Sequence, residues 1–312
     1  MPTSPTRWQI RASVFAESVP GVAMFRRSSR STRVAFAILI GFYVVAFLAP
    51  LIAPYGVGEQ VNIVTMKNRP PSAAHWFGTD NYSRDILTRV LYGGRVSLSI
   101  ATLAMLVAAF VGTFYGLVAA VAGGWIDTLM MRVLDAFLAI PRVLLLIAIL
   151  ALWNPVPLWG LVMLLGLTGW FEVSRLVRAE ALSVREREFV TAARSLGASR
   201  RRIMFWHLLP NVLVPVIVSV TTGIGNVIVL EAALSFIGIG VREPQSSWGT
   251  MFYEGSNAYA GTWWWALFPG LAIVITVMCF NILGDALRAL LDPRHLPRAA
   301  LGTRGAAVAS AE

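Results

Sequence analysis

Six stretches of the chain are apolar for long enough to cross a membrane as helices. A membrane-spanning helix needs roughly 20 mainly apolar residues, because every backbone polar group must be hydrogen-bonded within the segment. The six stretches are Val34–Pro54, Val96–Ala122, Val133–Trp153, Val156–Phe171, Val212–Ile237 and Trp264–Leu287. The pattern predicts an all-α, multi-pass membrane protein with six transmembrane helices, of which the fourth is the shortest.

An amphipathic segment precedes the second of these stretches. Between Pro70 and Arg95, apolar residues recur at helical spacing among several arginines. This pattern predicts an interfacial helix whose arginines lie among lipid headgroups. A tryptophan cluster at Trp263–Trp265 begins the last stretch, which predicts anchoring at the membrane surface.

A second amphipathic segment separates the fourth and fifth stretches and predicts two short helices joined by a glycine turn. The first helix covers Ser183–Leu196, with its apolar face formed by Phe189, Ala192, Ala193 and Leu196. Gly197 can adopt the left-handed conformation that ends a helix, and Ser199 can cap a second helix that begins at Arg200 and stops near Pro210. The segment carries more charge than a simple connection needs, so it predicts a binding surface.

The composition agrees with a membrane location. Of 312 residues, 57% are hydrophobic and only 13% are charged, which is too little polar surface to cover a water-soluble globule. The net charge of +10 would suit nucleic acid, but the charges lie between apolar stretches and no nucleic-acid partner is expected. The single cysteine, Cys279, cannot form an intrachain disulfide. The first apolar stretch is too long for a cleaved signal peptide and predicts an uncleaved anchor.

The distribution of basic residues predicts the orientation. With the N-terminus in the cytoplasm, 19 basic residues lie on the cytoplasmic side and six lie outside, while Arg142 remains within the third stretch. Cytoplasmic loops of membrane proteins carry an excess of arginine and lysine. Both termini are therefore predicted to be cytoplasmic.

Catalytic chemistry is not expected in this chain. The only lysine, Lys67, follows Met66, whereas the phosphate-binding loop of an ATPase needs a glycine before its lysine. If ATP drives the protein, another chain hydrolyses it. No Ser/His/Asp, Cys/His or paired-carboxylate arrangement is present in the sequence. The chain is predicted not to be an enzyme.

Some polar residues allow two interpretations. His75, Asp80 and Asp85 could ligate a metal, but they lack tight ligand spacing and a structural role is favoured. Glu231, Asp135 and Arg142 lie within or close to apolar stretches, where an ionisable group without a partner is costly. They could line a substrate path, although pairing with neighbouring helices is the favoured interpretation.

The second amphipathic segment resembles a known motif. Its sequence, TAARSLGASRRRIMFWHLLP, is similar to the EAA loop of permease subunits in binding-protein-dependent ABC importers. The matching residues are Thr191, Ala192, Ala193, Gly197, Ile203, Leu209 and Pro210. Thr191 stands where the motif has Glu, and a literal EAA at residues 231–233 lies in the fifth stretch without the glycine spacing. The resemblance implies that the first short helix docks in a groove of an ATPase subunit.

Two further stretches resemble the dipeptide, oligopeptide and nickel subfamily, and the extra N-terminal span and the count of six helices resemble its C-type subunit. The two stretches are HWFGTDNYSRDILTRVLYGGRVSLSI at residues 75–100 and EAALSFIGIGVREPQSSWGTM at residues 231–251. The resemblance implies a type I ABC importer permease fold. The domains expected on this basis are a cytoplasmic tail at 1–33, an anchor at 34–54, an external loop with the interfacial helix at 55–95, a permease core at 96–291 with the coupling loop at about 176–210, and a cytoplasmic tail at 292–312.

The resemblance also implies partners. These are a second permease subunit, two ATPase subunits that bind ATP and magnesium, and an external solute-binding protein, assembled at a bacterial inner membrane. This chain itself would hold no cofactor and no metal. The solute could be a dipeptide, an oligopeptide, nickel or glutathione, and the permease pair could be two different chains or two copies. The alternatives are an ATP-independent channel or carrier and a non-transporting membrane scaffold.

Overall fold

The computed structural model describes residues 29–291, apart from 61, 63–64, 154, 242–244 and 259–260. Every regular element in these residues is helical, which confirms the all-α class. The helices are α1 (Arg30–Phe47), α2 (Ala49–Ile52), α3 (Ile86–Ala122), α4 (Gly124–Leu138), α5 (Arg142–Leu152), α6 (Leu158–Arg185), α7 (Glu188–Ser195), α8 (Arg200–Phe236), α9 (Trp248–Ser256) and α10 (Trp264–Leu291). Most of the N-terminal tail and all of the C-terminal tail predicted from the sequence lie outside the described residues.

The described residues contain five helices that are long and apolar enough to cross a membrane, or six if the bent pair of α4 and α5 is counted as one span. This agrees with the six predicted transmembrane stretches. The third stretch is broken, however, because α4 and α5 meet at an angle of 73°. Pro141 lies at this break and precedes α5. Proline has no N–H to donate and disfavours helical conformation in the residue before it, so a continuous helix cannot form there.

The predicted interfacial helix within Pro70–Arg95 is wrong. The helix begins only at Ile86, where the Asp85 carboxylate accepts a hydrogen bond of 2.8 Å from the backbone N–H of Thr88. From there α3 continues to Ala122 as one helix of 37 residues. Its apolar first turn packs against protein, because Ile86 shares a buried cluster with Met251 of α9. Helical periodicity is the same whether the apolar face meets lipid or protein, so the sequence pattern could not distinguish the two.

The predicted helix bounds in the second amphipathic segment also need correction. α6 extends to Arg185, so the short helix begins at Glu188 and not at Ser183. The following helix does not stop near Pro210 but continues as α8 to Phe236. A π-helical turn over Ile203–Leu208 lies immediately before the proline. This wider turn accommodates the missing proline N–H and the bulk of the ring without ending the helix.

Small residues bring α3 and α6 into close contact. A Cβ atom on Gly116 of α3 would lie 2.6 Å from the carbonyl oxygen of Ser174 on α6. On α6, a Cβ atom on Gly166 would lie 2.8 Å from the Cβ of Val107. Membrane helices pack closely where small residues let the backbones approach, since lipid gives no hydrophobic drive for association. The α3–α6 pair therefore forms the centre of the bundle.

The helix α7 precedes α8 and α9 follows it, and α8 crosses the bundle. The two short helices therefore lie at opposite ends of the bundle, which we call the α7 end and the α9 end. At the α9 end, Trp264 and Trp265 are buried, and both indole nitrogens donate to the carbonyl oxygen of Thr79, at 3.3 and 2.8 Å. Trp263 remains 58% exposed. The prediction of surface anchoring is therefore wrong for Trp264 and Trp265. Both side chains instead hold Thr79, in the turns before α3, against the start of α10.

Candidate functional site

The coupling unit, residues 188–210, lies at the α7 end and is organised around the predicted glycine turn. Gly197 has a φ of +83°, in the left-handed region that only glycine adopts without strain. Its N–H donates to the carbonyl of Arg194, and the N–H of Ala198 donates to the carbonyl of Ala193, each at 3.0 Å. This pair of hydrogen bonds is a Schellman motif, which satisfies the last carbonyls of α7. The predicted turn is confirmed.

The start of α8 also follows the prediction. Ser199 is the N-cap, and its Oγ accepts a hydrogen bond of 3.3 Å from the backbone N–H of Arg202. A serine at this position satisfies one of the backbone donors that have no partner in the first turn of a helix. The cap and the glycine turn together fix the angle between α7 and α8.

Buried apolar residues anchor the coupling unit to the bundle. Val190 of α7 and Leu208 of α8 have no exposed surface, and Ile203 is 5% exposed. All three belong to a cluster that also includes Leu117 of α3 and Val177 of α6. Ile203, one of the predicted motif residues, therefore positions the unit from within. Val190 was missed, because periodicity identified an apolar face but could not show which face meets the bundle.

The apolar face identified from the sequence points outward. Leu196 is 88% exposed and Phe189 is 44% exposed. On the adjoining π turn, Trp206 is 78% exposed, and the ring centroid of Phe189 lies 6.1 Å from that of His207. We call Phe189, Leu196, Phe205 and Trp206 the exposed apolar set. Large apolar side chains exposed on a charged segment outside the apolar stretches are typical of a surface that another protein covers.

The seven predicted motif residues divide between surface and interior. Those at the surface are Thr191, Ala192, Gly197 and Pro210, whereas Ala193 and Leu209 are half-buried and Ile203 is buried. The Thr191 hydroxyl reaches only the carbonyl of Arg187 in its own helix, at 3.4 Å. No carboxylate replaces the glutamate of the motif there, so contacts from this position would be those of a small polar side chain.

Ion pairs connect the helices close to the coupling unit. Arg178 of α6 binds the Asp127 carboxylate of α4 through two nitrogens, at 2.5 and 2.7 Å. One turn away on α6, Arg175 pairs with Asp135 at 2.7 Å. Arg200, Arg201 and Arg202 in the first turn of α8 are all exposed. The arginines of α6 therefore hold α4 in place, while those of α8 face outward.

The ionisable residues of the transmembrane stretches have partners on neighbouring helices, as favoured from the sequence. Asp135 pairs with Arg175, and Arg142 donates to the carbonyl of Leu165 at 2.8 Å. Glu231 is buried and its carboxylate accepts hydrogen bonds from three serine hydroxyls, at 3.3, 2.7 and 2.6 Å. The serines are Ser97, Ser235 and Ser247. Glu231 thereby joins α3, α8 and the N-terminus of α9.

At the α9 end, the residues weighed as metal ligands pair with other side chains. The His75 ring lies 3.0 Å from the Asp85 carboxylate. Asp80 accepts from Arg84 at 2.6 Å and from Arg89 at 2.9 Å, and Arg89 also reaches Glu254 of α9 at 2.7 Å. Asp80 and Arg89 are almost fully buried, at 1% and 4% exposed. These contacts fix the turns before α3 against α9.

Comparison with known proteins places these features in context. Residues 108–296 match the family described as "Binding-protein-dependent transport system inner membrane component". The dipeptide transport system permease protein DppC of Alkalihalophilus pseudofirmus is 41% identical over 84% of this chain and 85% of its own length. The oligopeptide transport system permease protein OppC of Bacillus subtilis is 35% identical over 87% of this chain and 88% of its own.

A solved structure agrees in fold. A chain of the inward-facing MetNI methionine ABC transporter superposes with a TM-score of 0.54 and 17% identity, covering 66% of this chain and 97% of the other. At this level of identity the likeness concerns the fold alone. The shared part corresponds to the predicted type I importer permease fold.

Proposed function

The chain belongs to the binding-protein-dependent transport system inner membrane component family, and on that premise we propose that it is a permease subunit of an ATP-driven importer of short peptides. Relatives named as dipeptide and oligopeptide permeases, similar over most of their length, support peptides as the solute. One chain forms half of the translocation path. A second, related permease subunit supplies the other half.

The exposed apolar set carries this proposal. Leu196 and Trp206 are among the most exposed large apolar residues described, and they lie on a unit whose geometry is fixed by the Gly197 turn and the Ser199 cap. A rigid unit with an apolar outer face suits a groove on another protein better than it suits water. We assign that groove to an ATPase subunit, whose closure on ATP and magnesium would move α7 and, through Val190 and Ile203, the bundle.

The proposed orientation puts the α7 end in the cytoplasm and the α9 end outside. The arginines between positions 175 and 202 support this assignment, because loops rich in arginine stay on the cytoplasmic side. The external solute-binding protein would then dock at the α9 end. Single cysteines introduced at Arg200 and at Gln245 in a Cys279→Ser background test the orientation. In intact cells, an impermeant thiol reagent should label position 245 and leave position 200 unlabelled.

The function is tested by reconstituting this chain with its second permease subunit, two ATPase subunits and solute-binding protein in liposomes that contain ATP. A labelled set of di- to pentapeptides should accumulate only when ATP and the binding protein are both present. Equal uptake without ATP would indicate a channel or carrier. Absence of uptake of every peptide, in a complex that hydrolyses ATP, would contradict peptide import.

A further inference from the structure

A small cavity lies at the break between α4 and α5, beside the middle of α6. Its lining includes two charged side chains. Its volume is about 190 Å³. Most of its wall is apolar and is formed by Phe137, Leu138, Ile140, Leu145 and Phe171. Arg142 from the start of α5 and Glu172 from α6 add one positive and one negative group.

Arg142 lies within the third apolar stretch, and Glu172 directly follows the fourth. Glu172 precedes Arg175, where the cytoplasmic arginines begin, by three residues, or about 5 Å at a rise of roughly 1.5 Å per residue. Arg142 contacts the carbonyl of Leu165, about 10 Å from the start of α6. An ionised group within an apolar stretch is too costly to face lipid, so Arg142 faces a water-filled path or another protein.

The backbone at the break is a second reason why lipid cannot cover this part of the surface. Residues 139–141 are not helical and are exposed on the surface of the chain. Non-helical backbone at membrane depth is tolerated only where it lines a watery cavity or is covered by protein, because its polar groups find no partners in hydrocarbon. The break, Arg142 and Glu172 share one cavity, which therefore has polar surroundings in the assembled protein.

Each charged side chain keeps unused hydrogen-bonding atoms. Arg142 is held in place by hydrogen bonds from Nε to the Thr168 hydroxyl at 3.2 Å and from Nη2 to the Leu165 carbonyl at 2.8 Å. Within the described residues, Arg142 Nη1 makes no hydrogen bond and the Glu172 carboxylate accepts none. The cavity thus offers one fixed cationic donor and one anionic acceptor.

We propose that this cavity binds the charged main-chain ends of a dipeptide in transit, with the α-carboxylate at Arg142 Nη1 and the α-ammonium at Glu172. This inference rests on the proposed function as a peptide permease. Opposite charges would orient a zwitterion, while the apolar wall would accept different side chains without selecting among them. Charge-assisted hydrogen bonds of this kind are stronger than neutral ones, which suits recognition of the two groups that all unmodified dipeptides share.

Cysteine labelling tests whether the cavity lies on the path. Glu172→Cys in a Cys279→Ser background is reconstituted as the complete complex and treated with a cationic methanethiosulfonate reagent. Labelling is expected, and it should slow at least fivefold during ATP turnover with saturating dipeptide, using the dipeptide that gives the highest wild-type uptake. Leu167→Cys, an exposed apolar position on another face of α6, is the control and should stay unlabelled. An unlabelled position 172 would overturn the inference.

Uptake by charge variants gives a second test. Glu172→Gln should lower the uptake rate about tenfold, whereas Glu172→Asp should keep at least half of it. Glu180→Gln makes the same change two turns further along α6 and should transport at the wild-type rate. If Glu172→Gln instead reduces co-purification of the second permease subunit, Glu172 is an assembly contact and the inference is wrong.

These outcomes are separable from those of the proposed function. Peptide uptake by the wild-type complex tests the function alone. Wild-type uptake together with normal uptake by Glu172→Gln would overturn only the binding site. Absence of wild-type uptake would overturn the function before any variant is compared.

Discussion

The two ends of the bundle treat charge and apolar surface in opposite ways. At the α9 end, Asp80 and Arg89 are almost fully buried and pair with each other, while the large side chains of Trp264 and Trp265 are covered. At the α7 end, the arginines at the start of α8 are exposed, and so are Leu196 and Trp206. The α9 end pairs its buried charges within the chain, whereas the α7 end leaves arginines and two large apolar side chains exposed.

This difference separates stability from assembly. Interactions completed within the chain, such as the Arg89 contacts, contribute to the folding of the chain alone. The exposed apolar set contributes little to that folding, because its side chains gain few contacts within the chain. Substitutions at the α9 end should therefore lower the stability of the isolated chain, and substitutions at the exposed face of the α7 end should lower association with partners.

The largest effect is expected for Arg89→Met. Removing this cation leaves the buried Asp80 carboxylate with Arg84 as its only cationic partner and also removes a contact with Glu254. Breaking a buried ion pair by removing one partner costs about 3 kcal/mol or more. Thermal unfolding of the chain purified in detergent should shift to a clearly lower temperature. Arg95→Met, an exposed arginine on the same helix, is the control, and equal shifts in both variants would contradict the role of burial.

Leu196→Asp should have the next largest effect. This variant should weaken association with the ATPase subunits and leave the folding of the chain unchanged. The side chain is 88% exposed, so the isolated chain should unfold at the wild-type temperature. A charge in the centre of an apolar contact should weaken ATPase binding by about 2 kcal/mol, or roughly 30-fold. Co-purification with the ATPase subunits measures this loss. Val190→Asp on the buried side of α7 should instead reduce the amount of folded chain, and full ATPase association by Leu196→Asp would refute the docking surface.

Gly197→Val should have a smaller effect at the same end. No atom would lie within 4 Å of the added Cβ, so the cost comes from the left-handed backbone at φ +83°, roughly 1–2 kcal/mol for a non-glycine residue. The chain should reach normal levels in the membrane while ATPase co-purification and peptide uptake fall several-fold. Gly166→Val is the contrasting variant, because its side chain would collide with Val107 and lower the protein level.

Ser199→Ala should give the smallest effect. Loss of an N-cap costs about 0.5–1 kcal/mol, and here it affects only the first turn of the long helix α8. ATPase affinity should fall by no more than about fivefold. Ser29→Ala removes a similar cap from α1, where the serine hydroxyl accepts from the N–H of Thr32 at 3.2 Å. That variant should bind the ATPase normally, and an equal loss in both variants would show that the effect is not local to the coupling unit.

Local features of the protein were predictable from the sequence. The number of membrane-crossing stretches follows from the length of each apolar run, because a bilayer sets one minimum length for every helix. The Gly197 turn and the Ser199 cap follow from backbone preferences that act within a few residues. The division of the motif between α7 and α8 was therefore available without a structure.

Other features depended on which surfaces meet in the folded chain. Periodicity gave α7 an apolar face, but only packing showed that Val190 meets the bundle while Phe189 and Leu196 face outward. The same limit made the start of α3 look like an interfacial helix, although Ile86 packs on α9. The continuation of α8 past Pro210 depends on a π turn that no local signal marked, and the Arg142–Glu172 cavity joins residues from three helices. A periodic pattern of apolar residues indicates that one side of a helix is shielded from water. Lipid, the same chain or a partner protein can each provide that shielding, so only the tertiary structure decides among them.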